Sequence, residues 1–158
     1  MGKFKLSTVF VLGSVMLASG CQTASVDSTM STAAIDPVVA KDISENDLVA
    51  GKQHFNDANY GLAEKHFRKA VELRASNGEA WMGLAASYDQ LGRFDFADRA
   101  YEQLLKVAGR QPRIVNNMGY SQLLRGDKKK AGRLLTEAAA LLPEDQVVQA
   151  NIALLNKI

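Results

Sequence analysis

Side chains able to do chemistry are few in this chain. His54 and His66 are its only imidazoles and Cys21 its only thiol, among 158 residues. A zinc site takes three or four protein ligands. Two histidines twelve positions apart, with no His-x-x-x-His partner and no nearby cysteine, supply too few, and both read as packing or surface residues. A single cysteine excludes an internal disulfide framework and any multi-cysteine cluster. No serine stands in a Gly-x-Ser-x-Gly elbow, and no glycine-rich phosphate loop occurs. The reading is a protein that is not an enzyme, with no cofactor, metal or small-molecule substrate. The question becomes what the one thiol serves.

Its surroundings answer. Lys3 and Lys5 precede an apolar run over residues 7–17, followed by the small residues Ala18, Ser19 and Gly20. That is the three-part layout of a secretory signal, and the run is shorter than the roughly 20 residues a spanning helix needs. Gly2 invites an N-myristoylation reading, but Leu6 stands where that motif wants Ser or Thr. The stretch Leu17-Ala18-Ser19-Gly20-Cys21 resembles the lipobox of bacterial lipoproteins. The resemblance implies removal of residues 1–20, a diacylglycerol on the Cys21 thiol and membrane attachment through acyl chains. Gln22, not being Asp, implies the outer membrane, with the protein facing the periplasm.

The formal charge of +2 comes from Lys3 and Lys5 alone. Without them 17 basic residues (19 − 2) face 17 acidic ones, and a neutral chain is a poor nucleic-acid ligand. Residues 22–43, rich in Ser, Thr and Ala, show no helical period and read, with Cys21, as a lipidated flexible tether of residues 21–43. Such a tether spans on the order of 25 Å.

From residue 44 the chain repeats at a spacing of 34. Ala63, Ala97 and Ala131 fall in register, as do Phe67, Tyr101 and Leu135, then Ala70, Leu104 and Ala138. Gly51, Ala85 and Gly119 align, and Gly92 and Gly126 share a turn position. This period and pattern resemble the tetratricopeptide repeat, two antiparallel helices per unit. Small residues sit where helices cross closely, and Trp81, Tyr88 and Tyr101 fill gaps between units. The resemblance implies an all-α solenoid of three helix-turn-helix repeats (44–77, 78–111, 112–145) and a capping helix (146–158), wound as a short right-handed superhelix. Seven helices and no strands are expected. Ser44 with Asp47 reads as the cap of the first helix, Pro112 as a first-turn residue and Pro143 as following a last turn. Asp47 stands where the family has a large apolar residue, and Ala75 where it has proline, so the first helix is expected to fray.

In that family the first helix of each unit lines a concave groove. Mapped by position, the groove comprises Lys52 and Phe55; then Met82, Ala86, Asp89 and Gln90; then Arg113, Asn116, Asn117, Tyr120, Leu123 and Leu124; and Asn151 and Leu154 from the cap. Apolar side chains mixed with amides suit a helix or extended segment of a protein partner. Lys52 and Arg113 are two parts of a clamp for a terminal carboxylate, but Met82 stands between them. The basic run over residues 125–133, with Lys128, Lys129 and Lys130, reads as a solvated loop and helix face.

The full layout, with phrases such as "YGLAEKHFRKAVEL" and "VNNMGYSQLLRGD", resembles the tetratricopeptide lipoproteins of Tad (tight adherence, Flp) pilus assembly. That resemblance implies a pilotin-like adaptor that binds a secretin or another pilus component and acts by co-localisation. The alternative is a general periplasmic envelope scaffold that docks peptidoglycan hydrolases or a protease.

Overall fold

A computed structural model describes residues 42–157, so the expected signal, Cys21 and most of the tether lie outside the described residues. The described residues form seven helices and no strand: α1 (Glu45–Asn56), α2 (Tyr60–Leu73), α3 (Gly78–Gln90), α4 (Phe94–Ala108), α5 (Pro112–Leu124), α6 (Lys128–Leu141) and α7 (Gln146–Lys157). Within each repeat the two helices pack on one another, α1 on α2, α3 on α4 and α5 on α6, while α2 meets α3 and α6 meets α7 across the joints.

The register explains the pairing. A methyl group on Gly51 of α1 would stand 2.7 Å from the Phe67 ring, and one on Gly83 of α3 would stand 2.4 Å from it. The ring is thus clamped by two helices that approach closely only because neither carries a side chain there. Gly119 receives Leu135 in the same manner. The turns follow the 34-residue spacing as well: Gly92 and Gly126 have φ of 68° and 81°, and Ala58, at the same position of the first unit, has φ 58°. A non-glycine residue there carries a cost of about 1–2 kcal/mol.

Helix starts and stops match most of the punctuation. Pro112 occupies the first turn of α5, and Pro143 follows the end of α6. Asn77 caps α3 by accepting from the Ala80 amide, and Asp127 caps α6 by accepting from Lys130.

Two expectations about α1 are overturned. Ser44 does not cap the helix with its side chain; its hydroxyl and amide both donate to the nearer carboxylate of Asp42, at 2.7 and 2.9 Å. Nor is α1 frayed, since it runs twelve residues with Asp47 buried in its first turn. Asp47 holds its unusual place by pairing with α2. His66 Nδ1 lies 2.9 Å from its Oδ1 and Lys69 Nζ 2.9 Å from its Oδ2. These hydrogen bonds, from His66 first and then Lys69, hold the carboxyl below its ordinary value of 3.8. A depressed folded value means that the pairing stabilises the fold above that ordinary value and is lost as pH falls below it. Asp47→Asn is therefore expected to cost about 1 kcal/mol at neutral pH and little in acid, read from urea midpoints at both ends of the range.

The apolar core is not continuous along the solenoid. One cluster runs through α1 to α4 and takes Ile114 from α5; two smaller ones, around Val115–Ala138–Val148 and Leu123–Ala131–Leu135, lie among α5, α6 and α7. The break falls between the second and third units, where α4 touches α5 more sparsely than α2 touches α3.

Candidate partner-binding groove

The first helices of the units stand side by side, α1 against α3, α3 against α5 and α5 against α7. Along this row lie three cavities. One of 340 Å³ is lined by Lys52, Phe55, Asn56, Phe67, Glu79, Met82, Gly83, Ala86 and Asn117. A second, of 410 Å³, is lined by Phe55, Ala86, Asp89, Gln90, Tyr101, Asn117, Tyr120, Val147 and Asn151. A third, of 390 Å³, is lined by Met82, Arg113, Asn116, Asn117, Asp145, Val147 and Val148. Asn117 borders all three.

Eleven of the fourteen groove residues expected from the sequence therefore meet along one row. Leu123 does not: it is 8% exposed and packs with Ala131, Leu135, Ile152 and Leu155, because α7 covers that side of α5. Leu124 and Leu154 are exposed but border none of these three cavities. The sequence reading missed Asn56, Glu79, Asp145, Val147 and Val148. Glu79 and Asp145 had no legible signal, since each meets its expected groove cation only once the helices have packed.

Those two acids set the electrostatics of the rim. Glu79 pairs with Lys52 across α1 and α3, and Asp145, just before α7, pairs with Arg113 of α5 at 3.5 Å. Both cations of the incomplete carboxylate clamp are thereby answered from within the chain. The amides are also interlinked. Asn151 donates to Asn116 Oδ1 at 3.0 Å, Asn116 to Asn117 Oδ1 at 3.4 Å, and Asn117 to the Met82 sulfur at 2.9 Å. This chain of bonds fixes side-chain orientation along the groove floor.

The largest departure from an apolar interior lies beneath the 410 Å³ cavity. Asp89 is 4% exposed. Its Oδ2 accepts from the Tyr101 hydroxyl at 3.0 Å and its Oδ1 from the Ser121 hydroxyl at 2.6 Å. Arg125 approaches Oδ1 to 3.6 Å but is turned mainly to Asp98, donating two bonds at 2.9 and 3.0 Å while lying over the Phe94 ring. Arg125 is thus withdrawn from the basic run with which the sequence grouped it; Lys128, Lys129 and Lys130 remain exposed. Burial pushes the Asp89 carboxyl above its ordinary value, against the opposing effects of Ser121, Tyr101 and Arg125. The Tyr101 phenol is raised well above its ordinary range by burial and by the Asp89 charge.

His54 and His66 come together as well. Their rings stack at 5.3 Å with 17° between planes, since the antiparallel turn of α1 and α2 folds the twelve-residue separation back on itself.

Comparison with known proteins agrees with this architecture. Residues 78–110 match the family model described as a tetratricopeptide repeat. None of the curated proteins matches. Among solved structures the chain is similar to PilF of Pseudomonas aeruginosa, at 26% identity and a TM-score of 0.60, over 71% of this chain and 51% of that one. The chain thus spans about half the length of that protein. It is also similar to the type III secretion chaperone SycD of Yersinia enterocolitica in complex with a peptide of the translocator YopD, at 18% identity and a TM-score of 0.61, over 76% of this chain and 92% of that one. A third likeness is to PcrH in complex with the chaperone-binding region of PopD, at 21% identity and a TM-score of 0.61, over 76% and 90% of the two chains. The period, the helix pairs and these likenesses converge: the described chain is a tetratricopeptide-repeat solenoid, with a row of cavities along its first helices.

Proposed function

We propose that this protein is a binding adaptor that holds a segment of a partner protein in the groove along α1, α3, α5 and α7. The observation that carries the reading is the run of three cavities sharing Asn117, their linings mixing apolar side chains with amides. Alternate side chains of an extended segment would enter the cavities while amides bond its backbone. Acting through binding alone, the protein makes and breaks no covalent bond.

The partner is a component of a pilus or secretion system, with a secretin the leading candidate, and the site of action is the periplasmic face of the outer membrane, reached through lipid on Cys21. The lipobox-like stretch supports the anchor. The likeness to PilF and to peptide-bound secretion chaperones supports an assembly role. The test is a photo-crosslinking residue in place of Tyr120 in the protein's own cells, with Lys129 as the control position. Adducts to a secretin or pilus subunit from Tyr120 alone are expected. Adducts to a peptidoglycan hydrolase or protease would point to the envelope-scaffold role instead, and adducts only from Lys129 would move the working face to the basic turn.

A further inference from the structure

The 410 Å³ cavity has an unusual lining for a site built to take an apolar side chain. Three aromatic residues, Phe55, Tyr101 and Tyr120, border it together with Asp89, and no cation does. We propose that this cavity takes a lysine or arginine side chain of the partner segment, its methylene stem along Ala86 and Val147, its charge among the aromatic rings and against Asp89. The proposal rests on the groove reading above and names the partner's chemistry at that groove.

Charge balance is the first argument. Lys52 is answered by Glu79 and Arg113 by Asp145, so the rest of the groove is neutral. Asp89, Arg125 and Asp98 are two carboxylates on one guanidinium, which donates twice to Asp98 and once to the Ser121 hydroxyl and reaches Asp89 only at 3.6 Å. The three groups carry a net charge of −1, and Asp89 is the carboxylate of the pair that borders the cavity. Register is the second argument. The positions 34 residues either side of Asp89 hold Phe55 and Leu123, so this chain builds the same place from apolar residues in its other units. A buried acid is no aid to stability where a leucine would pack. Aromatic faces near a carboxylate are the arrangement that recognises a cation, and a basic side chain carries its own apolar stem. A segment ending in a free carboxylate would be repelled here.

The experiment uses the full-length protein and a phage-displayed library of random peptides. Selected peptides are expected to share one lysine or arginine flanked by apolar residues. Exchanging that residue for methionine should weaken binding roughly tenfold to a hundredfold. The same exchange should matter little to Asp89→Asn, whose Oδ1 still accepts from one of the Tyr101 and Ser121 hydroxyls while its amide N–H donates to the other. Tyr120→Leu, distant from the buried network's bonds, should cost severalfold for the basic peptide and little for its methionine version, so the proposal is testable even where Asp89→Asn folds poorly. Peptides that depend on Asn117 and Tyr120 yet carry no shared basic residue overturn the cation assignment and leave the groove reading intact. Peptides indifferent to both residues overturn the two together.

Discussion

Phe67→Ala is expected to cost about 3–5 kcal/mol of unfolding free energy, a large part of what a domain of this size has to lose. The ring is 2% exposed and fills the space that Gly51 and Gly83 leave open on two different helices. Its removal empties both contacts at once, one inside the first unit and one at the joint to the second. Solenoid stability is close to a sum of unit and neighbour terms, so the variant should lose cooperativity as well as stability. Urea unfolding followed by circular dichroism should show α1 and α2 melting ahead of the rest, and amide exchange should quicken there while α5 to α7 keep their protection. Leu135→Ala, which empties the contact on Gly119 alone, is the comparison. A loss below about 1 kcal/mol, or one transition displaced as a whole, would mean that the ring is not the wedge between units.

The reason this much was legible is that close helix crossings demand small residues, and a repeated crossing repeats them. Gly51, Ala85 and Gly119, with Phe67, Tyr101 and Leu135, carry the architecture on their own. What could not be read are the long-range answers to single polar residues. Asp47 looked like a flaw in α1 because its partners, His66 and Lys69, come from α2 and meet it only after the pair has folded. Ser44 looked like a cap until Asp42, two residues before it, proved the nearer acceptor. Leu123 has the spacing of a groove residue, but Ile152 and Leu155 of α7 draw it into the core. The groove itself was mostly legible because family positions fix which face of each helix looks inward; its neutral rim was not, since that depends on Glu79 and Asp145 pairing across helices.

The joint between the second and third units shows the same contrast. In register, Asp89 replaces Phe55 and Leu123, Tyr101 replaces Phe67 and Leu135, and Asn117 replaces Gly83. Three polar replacements at one joint are legible in the sequence, and the core divides at that joint. That Arg125 leaves the basic run to join them is not visible, because its direction is set by Asp98 and Phe94 on α4.

Arg125→Ala should accordingly be costly at this joint, by about 3–5 kcal/mol at neutral pH. The variant loses two bonds to Asp98 and one to the Ser121 hydroxyl, and strips Asp89 of its nearest positive charge. The dependence on pH separates these two effects. Asp89 has a folded value raised above its ordinary 3.8, chiefly by burial. An acid raised in the folded state binds its proton more tightly there, so its contribution to stability falls as pH rises from that ordinary value through the folded one. Arg125 opposes the shift; without it the folded value climbs further and the unfavourable window widens. The cost of Arg125→Ala should therefore be smallest in acid, where Asp89 is protonated in both states, and grow toward neutrality. Asp89→Asn placed on Arg125→Ala should restore much of the loss at neutral pH and little in acid. Urea unfolding of the parent, both single variants and the double, at the two ends of the range, makes a double-mutant cycle that reads the coupling directly. An Arg125→Ala loss that is equal at both pH values and unchanged by Asp89→Asn would assign the guanidinium to Asp98, Ser121 and Phe94. Asp89 would then be held in the fold by the Tyr101 and Ser121 hydroxyls without help from charge.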